Sequence, residues 1–421
     1  MTVTTNKESS LFNPILIAGC IILLVSFSIR ASFGLFQIPI ATEFNWLRAD
    51  FSFAIAIQNL FWGIGQPLFS AFAEKYGDKK AIVAGVACYV TGLVLSAFAI
   101  TPGQHQLLEA LVGFGIAGTG FGVILAIVGR AVSDKHRSLA LGITTAAGSA
   151  GQIVGPPITQ YLLQQMPWQS VFIALAGFVL VSLVALFFMR IPAPPTKQQS
   201  DEKMSRVIMQ AVKDPSFAFI FIGFFSCGYQ LAFITAHFPA FITEMCSVVT
   251  PDSVLQSLGV SSTSTLGAIA IALIGVSNIV GTILAGWLGS KYSRKYLLSG
   301  IYLMRTIVAA VFILNPVTPE SVVLFSILMG ALWLATVPLT SGLVAQIYGV
   351  RYMGTLYGLV FFSHQLGGFI GVWLGGAMFD LYGNYTLVWW VGIGVGALSA
   401  LVHLPIQERP WAERQPQFAA S

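Results

Sequence analysis

The chain has 421 residues, of which 56% are apolar and only 9% are charged, and its mean hydropathy is +0.81. A water-soluble protein of this length needs a charged surface, which this composition cannot supply, so soluble protein classes are excluded. The net charge of +5 is explained by basic residues on the loops of a membrane protein, and it predicts no nucleic-acid partner.

Twelve stretches are long and apolar enough to cross a bilayer, which takes about 20 helical residues. In the first half they cover 14–40, 51–72, 82–100, 107–128, 141–163 and 171–189. In the second half they cover 217–241, 266–288, 297–314, 322–344, 354–376 and 387–404. The first stretch is too long for a signal-peptide core and is predicted to be retained. The sequence thus predicts an all-α polytopic membrane protein with twelve transmembrane helices, numbered here as spans 1 to 12.

The basic residues support this count independently. If both termini lie in the cytoplasm, every Lys and Arg except Arg30, Arg48 and Arg305 falls on a cytoplasmic loop or terminus, as the positive-inside rule requires. A different number of spans would scramble the alternation. We therefore expect a multi-pass protein with both termini in the cytoplasm.

The sequence also divides into two similar halves. A polar stretch, 191–214, follows span 6 and is predicted to be a cytoplasmic linker. At an offset of 216 residues the two sides repeat each other, with Gly65, Lys75, Tyr76 and Lys79 matching Gly281, Lys291, Tyr292 and Lys295. Such parallel repeats of six spans characterise one transporter architecture. We expect two pseudo-symmetric six-helix bundles, residues 1–190 and 215–421, with a short cytoplasmic tail.

The loop after span 2 resembles the signature loop of the major facilitator superfamily. It reads Ser-Ala-Phe-Ala-Glu-Lys-Tyr-Gly-Asp-Lys-Lys over residues 70–80, and residues 286–295 form a degenerate copy. The family pattern has Gly first and Asp at the acidic position, where this chain has Ser70 and Glu74. The resemblance covers essentially the whole chain and implies the major facilitator fold. It also implies a gating loop formed by Glu74, Lys75, Gly77, Lys79 and Lys80.

Within that superfamily the chain resembles bacterial members of the monocarboxylate-transporter-like branch. The runs that carry this resemblance are 30–36, 44–48, 233–239 and 274–281. Animal monocarboxylate carriers have an Asp/Arg pair in span 8, and neither residue occurs in span 8 here. The resemblance implies a bacterial inner-membrane transporter that works as a monomer.

Two arginines lie within predicted spans, where a charge costs about 2.5–3.5 kcal/mol to insert. Arg30 is in span 1, which lines the inner cavity in this fold. Its planar guanidinium suits an anionic substrate, and the alternative is a structural role as a cap of carbonyl groups. Arg305 is in span 9, an outer helix of the fold, so a structural role is favoured there.

Three titratable residues are candidates for proton coupling. His237 in span 7 and His364 in span 11 can carry a proton near neutral pH, although either could instead be a hydrogen-bonded packing residue. Glu109 lies near the start of span 4 and is the one acidic residue that approaches the hydrocarbon, and the alternative is a solvated interfacial position. Because no acid lies centrally in the cavity helices, a cationic drug would find no partner.

Further polar residues in the spans are candidates for substrate binding, and each could equally form an interhelical hydrogen bond. With Arg30, His237 and His364, the predicted substrate-binding set comprises Gln58, Asn59, Tyr229, Gln230, Asn278 and Gln365. The sequence contains no phosphate-cradling glycine loop, metal cluster or nucleophile triad. We therefore expect no cofactor, no metal and no enzymatic activity, and coupling to an ion gradient.

These residues predict a secondary active transporter that takes up a small organic anion, such as a monocarboxylate, together with protons. Rocking of the two bundles would expose a central site to each side in turn. One alternative is an exporter of drugs or metabolites by proton antiport. Another is a transporter-like receptor, for which the linker and tail are too short to hold a signalling domain.

Overall fold

The computed structural model describes residues 13–132, 134–189, 204–250, 253–349 and 353–414, and these ranges contain helices and loops but no strand. Nine helices within them are long and apolar enough to cross a membrane. Span 12 is shorter, and spans 2 and 5 carry more polar residues, among them Gln58, Asn59 and Gln152. All twelve predicted spans are helical, so the predicted fold class is confirmed.

In the first half, span 1 comprises Pro14–Ser32, a 3-10 turn at Phe33–Phe36 and Gln37–Phe44; spans 2 and 3 are Arg48–Tyr76 and Asp78–Ser96; span 4 is Pro102–Thr119 with Phe121–Ala131; span 5 is Asp134–Gln165; and span 6 is Trp168–Val179 with Val181–Phe187. In the second half, spans 7 to 9 are Pro215–Met245, Thr263–Gly289 and Arg294–Leu314; span 10 is Pro319–Leu332 with Thr336–Tyr348; and spans 11 and 12 are Met353–Tyr382 and Thr386–Val402. Short helices cover Met204–Lys213, Val254–Ser257 and Trp411–Arg414.

Spans 4, 8 and 10 begin about one turn before their predicted apolar stretch, and a polar residue caps each of them. The side chains of Asn13, Thr101, Asp214, Ser262 and Thr318 each accept a hydrogen bond from a backbone N–H of the first turn. Such caps satisfy donors that have no partner inside the helix. A count of apolar residues alone therefore places the starts of spans 4, 8 and 10 too late.

The two halves pack in the same way. Span 1 packs on span 5, span 2 on span 4 and span 3 on span 6, and the same pairings recur as 7 on 11, 8 on 10 and 9 on 12. The bundles meet where span 2 packs on span 11, span 5 on span 8 and span 1 on span 7. At the last of these contacts a side chain on Gly34 would overlap the carbonyl oxygen of Thr235. The bundles are thus in direct backbone contact.

The loop between spans 2 and 3 is reduced to a single residue, Gly77, whose φ of 104° favours glycine. Lys79 and Lys80 in the predicted gating loop are exposed. The side chains of Glu74 and Lys75 lie outside the described residues, as does the linker segment 190–203. The remainder of the predicted linker forms the helix Met204–Lys213, and we call the end of the bundles near this helix the linker side.

Spans 4 and 10 are both broken in the middle, at Gly120 and at residues 333–335 respectively. In span 10 the carbonyl groups at the C-terminal end of the first segment have no partner within the helix and are capped by Arg305. Its Nη2 donates to the carbonyl oxygens of Leu332, at 2.6 Å, and of Trp333, and its Nε donates to Leu332 at 3.1 Å. A cation at a helix C-terminus is favourable. The geometry gives Arg305 a structural role.

Replacing Arg305 by methionine should lower the thermal stability of the detergent-solubilised protein. The variant keeps most of the side-chain volume but leaves buried carbonyl groups without a donor, which costs about 1–3 kcal/mol. Arg409→Met, at an exposed position, is the matched control and should unfold at the wild-type temperature. Equal midpoints for the two variants in a thermal-unfolding experiment would contradict this role.

Candidate functional site

A small cavity lies between the two bundles, beside Arg30. Its walls are formed by Arg30, Phe33, Gly34, Ile55, Gln58 and Asn59 from the first bundle and by Ala232, Thr235 and Ala236 from the second. Its volume of about 10 Å³ is the space of about one water molecule. In this conformation the cavity is closed, and a larger ligand requires the bundles to move apart.

Arg30 is the charged group of this cavity and is only 9% exposed. Its Nη2 donates to Asn59 Oδ1 at 3.5 Å, and its Cζ lies 4.8 Å from the centre of the Trp62 ring. Its Nε has no hydrogen-bond partner, and no ion pair to it is found in the part of the chain that the structure describes. A buried cation with open donors and no carboxylate can bind an anion.

Gln365 from span 11 adds further polar atoms at the same level. It is fully buried, and neither its Oε1 nor its Nε2 has a hydrogen-bond partner. A side-chain carbon on Gly368 would lie 3.5 Å from Gln365 Oε1 and 3.6 Å from Asn59 Cγ. The side-chain amides of Gln365 and Asn59 therefore lie on two sides of the same narrow space beside Gly368. Of the predicted substrate-binding residues, the structure brings Arg30, Gln58, Asn59 and Gln365 together at the bundle interface.

Gln58 connects the cavity to Glu109. Its Nε2 donates to Glu109 Oε2 at 2.6 Å. Glu109 is 0% exposed, so a solvated interfacial position is excluded. Its other oxygen, Oε1, has no hydrogen-bond partner and lies 3.9 Å from Nε2 of His105, one turn away on the same helix.

His237 bridges the two bundles at some distance from Arg30 and does not line its cavity. Its Nε2 lies 2.7 Å from the Val372 carbonyl oxygen and its Nδ1 lies 3.2 Å from Gln37 Nε2. A neutral imidazole with the proton on Nε2 satisfies both contacts, since it donates to the carbonyl and accepts from the amide.

The other predicted site residues lie elsewhere in the second bundle. Tyr229 and Gln230 donate to backbone carbonyls of span 12, at Val388 and Gly392, and line a separate cavity. Asn278 donates to Ser149 of span 5 and accepts from the backbone N–H of Leu334, where span 10 is broken.

His364 is also separated from Arg30. It stacks on Phe361 with ring centres 5.3 Å apart, and its ring centre lies 5.0 Å from that of Phe224. Its Nδ1 has no hydrogen-bond partner. The imidazole therefore lies among aromatic rings and beside the Cys227 thiol, and no polar residue of the Arg30 cavity is described in contact with it.

A cross-bundle cluster around Arg48, which we call the clasp, closes the end opposite the linker side. Arg48 pairs with Glu244 of span 7, donates to the Tyr385 hydroxyl at 3.1 Å and lies over the Phe379 ring. Asp380 accepts from the backbone N–H groups of Arg48, at 3.0 Å, and of Ala49, at 2.6 Å. A carboxylate of the second bundle thus caps the N-terminus of span 2.

The sequence interpretation did not identify the clasp or His105 as functional. In the sequence, Arg48 stood out only because it is the one basic residue on a predicted outer loop. That exception to the positive-inside rule is the signal that could have indicated a function for Arg48. His105 lies four residues before Glu109, a spacing that places both on one helix face. Neither signal shows by itself which partner the side chain has.

Comparisons with known proteins agree with this architecture. The Major Facilitator Superfamily model matches residues 18–246 and 233–420. The chain is 27% identical over 391 residues to the uncharacterised MFS-type transporter YcxA of Bacillus subtilis (strain 168), covering 90% of each chain. It is 24% identical over 400 residues to monocarboxylate transporter 13 of Bos taurus, covering 92% of this chain and 89% of the relative.

A solved structure shows the same fold. The crystal structure of a D-xylose-proton symporter matches with a TM-score of 0.70 at 15% identity, covering 94% of this chain and 99% of the other. The family model, the paired bundles and the cavity between them lead to one conclusion: the chain is a multi-pass transporter that belongs to the Major Facilitator Superfamily.

Proposed function

We propose that this transporter takes up a small organic anion, such as a monocarboxylate, in symport with protons. The observation that carries the proposal is Arg30, a buried guanidinium at the bundle interface with an open donor and no carboxylate partner among the described residues. The likeness to proteins named monocarboxylate transporters 12 and 13 supports the substrate class. The likeness to the D-xylose-proton symporter supports the fold alone and carries no argument for the substrate or the coupled ion.

The carboxylate of the substrate would bind the Arg30 guanidinium, with amide donors from Asn59, Gln58 and Gln365 around it. Arg30, Gln58 and Asn59 belong to the first bundle and Gln365 to the second, so one bound anion would connect both bundles. Binding would thereby favour the rocking motion that exposes the site to each side in turn. The proton would travel on Glu109, His237 or His364, or with the substrate as the undissociated acid.

The distribution of basic residues supports an orientation with the linker side in the cytoplasm. The clasp then faces the outside of a bacterial inner membrane. We expect the working unit to be a monomer, because each chain has both bundles and the whole cavity between them.

Replacing Arg30 by glutamine should abolish uptake of labelled monocarboxylates into proteoliposomes. Removing one partner of a buried charged contact costs about 2–5 kcal/mol, which is enough to end measurable binding. Arg30→Lys keeps the charge but loses the planar fork, so it should retain transport with a raised KM. The measurement is uptake across a panel of acids with and without an inward proton gradient.

Normal uptake by a folded Arg30→Gln protein would contradict the anion site. Thermal unfolding of each variant in detergent separates loss of binding from loss of structure. Failure of the wild type to accumulate any acid of the panel would instead remove the substrate class, and cationic and neutral compounds would then be tested for export.

The clasp should act as the gate on the outer side. Glu244→Gln removes one charge of the ion pair with Arg48, which is worth about 1 kcal/mol at a partly exposed site, or roughly fivefold in an opening equilibrium. A cysteine introduced at Thr235, in the cavity wall, should then react about fivefold faster with an impermeant thiol reagent added from outside.

Glu320→Gln is the matched control for this variant. Glu320 is exposed and lies in the first turn of span 10, on the same side as the clasp. Its replacement should leave the labelling rate of the introduced cysteine unchanged. A rate for Glu244→Gln equal to that of Glu320→Gln would show that the clasp does not control access.

A further inference from the structure

We infer that Glu109 and His105 together bind the coupled proton and that Gln58 links this proton to the anion site. The inference rests on the proposed function, since it names the group that carries the proton and the route by which the substrate affects it. It selects one of several buried titratable groups and adds a histidine that has no other partner for its Nε2 atom.

The first step of the argument is the unequal hydrogen bonding of the Glu109 carboxyl group. Oε2 accepts from Gln58 Nε2 at 2.6 Å, whereas the fully buried Oε1 has no hydrogen-bond partner. An ionised carboxylate with a single donor is costly to bury. A proton on Oε1 removes the charge and supplies a donor that points into the space beside His105.

The second step is the position of His105. Its Nε2 lies 3.9 Å from Glu109 Oε1 and is itself buried without a partner. Glu109 Oε1 and His105 Nε2 therefore face each other, and neither has a hydrogen-bond partner among the described residues. In either protonation state of the pair, one of these two atoms can accept the proton. A small rotation of either side chain brings them into hydrogen-bond range, so one proton can be shared between the carboxyl oxygen and the imidazole nitrogen.

Among the described residues, spans 2 and 3 present the other polar and titratable groups near Glu109. Tyr89 of span 3 is within electrostatic reach of both Glu109 and Arg30, and its hydroxyl donates to the Ser26 carbonyl at 3.1 Å. Span 2 presents the neutral Gln58. The described groups around the Glu109 carboxyl are therefore neutral side chains and the imidazole of His105.

The third step is the double role of Gln58, which lines the Arg30 cavity and is the donor to Glu109. A substrate carboxylate beside Arg30 competes for the same amide N–H. If Gln58 turns toward the substrate, Glu109 loses its one described donor and must hold a proton to stay buried. Anion binding and proton binding then favour each other, as symport requires. The proton taken up on one side is released on the other, and no covalent bond is involved.

The two other candidates lack this arrangement. Both ring nitrogens of His237 already contact protein groups, Gln37 and Val372. His364 lies between aromatic rings in the second bundle. Neither forms a described hydrogen bond to a residue that lines the Arg30 cavity, so neither offers the direct exchange of a hydrogen bond that Gln58 offers.

The test compares wild type, Glu109→Gln and the control Glu43→Gln, the same chemical change at an exposed site whose hydrogen bonds, from Trp168 and Gln169, stay within the first bundle. Labelled L-lactate is the first probe. With one proton per anion, an inward gradient of one pH unit sustains about tenfold accumulation. Wild type and Glu43→Gln should reach this level. Glu109→Gln should not raise internal lactate above the external concentration, and its exchange of internal for external lactate should no longer depend on pH.

A second measurement does not need a substrate. Infrared difference spectra of the reconstituted protein, recorded across a pH titration, should contain the carbonyl band of a protonated carboxyl group that is lost in Glu109→Gln. The band should titrate at a different pH in His105→Gln. Should Glu109→Gln fold poorly, Glu109→Asp replaces it and should show a shifted band and a shifted pH profile of uptake.

The outcomes separate this inference from the proposed function. Full gradient-driven accumulation by Glu109→Gln, or infrared titrations that are identical with and without Glu109, would overturn the proton site. A wild-type protein that transports none of the acids but shows the Glu109 band would contradict the substrate class and leave the proton site standing. Accumulation driven by a sodium gradient and not by protons would overturn the coupling ion.

Discussion

A guanidinium that stays charged in an apolar interior constrains the rest of this molecule. Two such groups, Arg30 and Arg305, are buried in the described spans, and their surroundings differ. Arg305 donates three hydrogen bonds from Nε and Nη2 to the carbonyls of a broken helix, Leu332 and Trp333, and only its Nη1 has no described partner. Arg30 has only the amide of Asn59 at 3.5 Å and the face of Trp62. The first bundle therefore carries an incompletely satisfied cation at the surface where the second bundle docks.

The fold was predictable from the sequence because a bilayer imposes a length and a polarity on each helix. The repeat and the positive loops then indicated the number of spans and their division into two similar halves. The helix ends were less accurate, because caps such as Thr101 and Ser262 start a helix in polar sequence before the apolar run begins. Those ends depend on single hydrogen bonds, which a hydropathy window does not detect.

The candidate site was predicted only in part, and the reason is helix rotation. Tyr229 and Gln230 lie in a span that borders the interface, yet they turn toward span 12. Gln365 turns toward span 2, where Gly63 leaves room for it. Residue type shows that a side chain needs a partner, but not on which side that partner lies. The buried state of Glu109 likewise depends on a donor from another helix, Gln58.

Asp380 also has a consequence for how the outer side can open. Its carboxylate caps a helix of 29 residues that belongs to the other bundle, so separating the bundles uncovers an anion and a helix N-terminus at once. Both need hydration as soon as they part, because the backbone N–H groups of Arg48 and Ala49 have no other acceptor among the contacts described. Entry of water into the seam must accompany the first ångströms of separation. Opening on this side is therefore coupled to water activity, and osmolytes excluded from the seam should slow it.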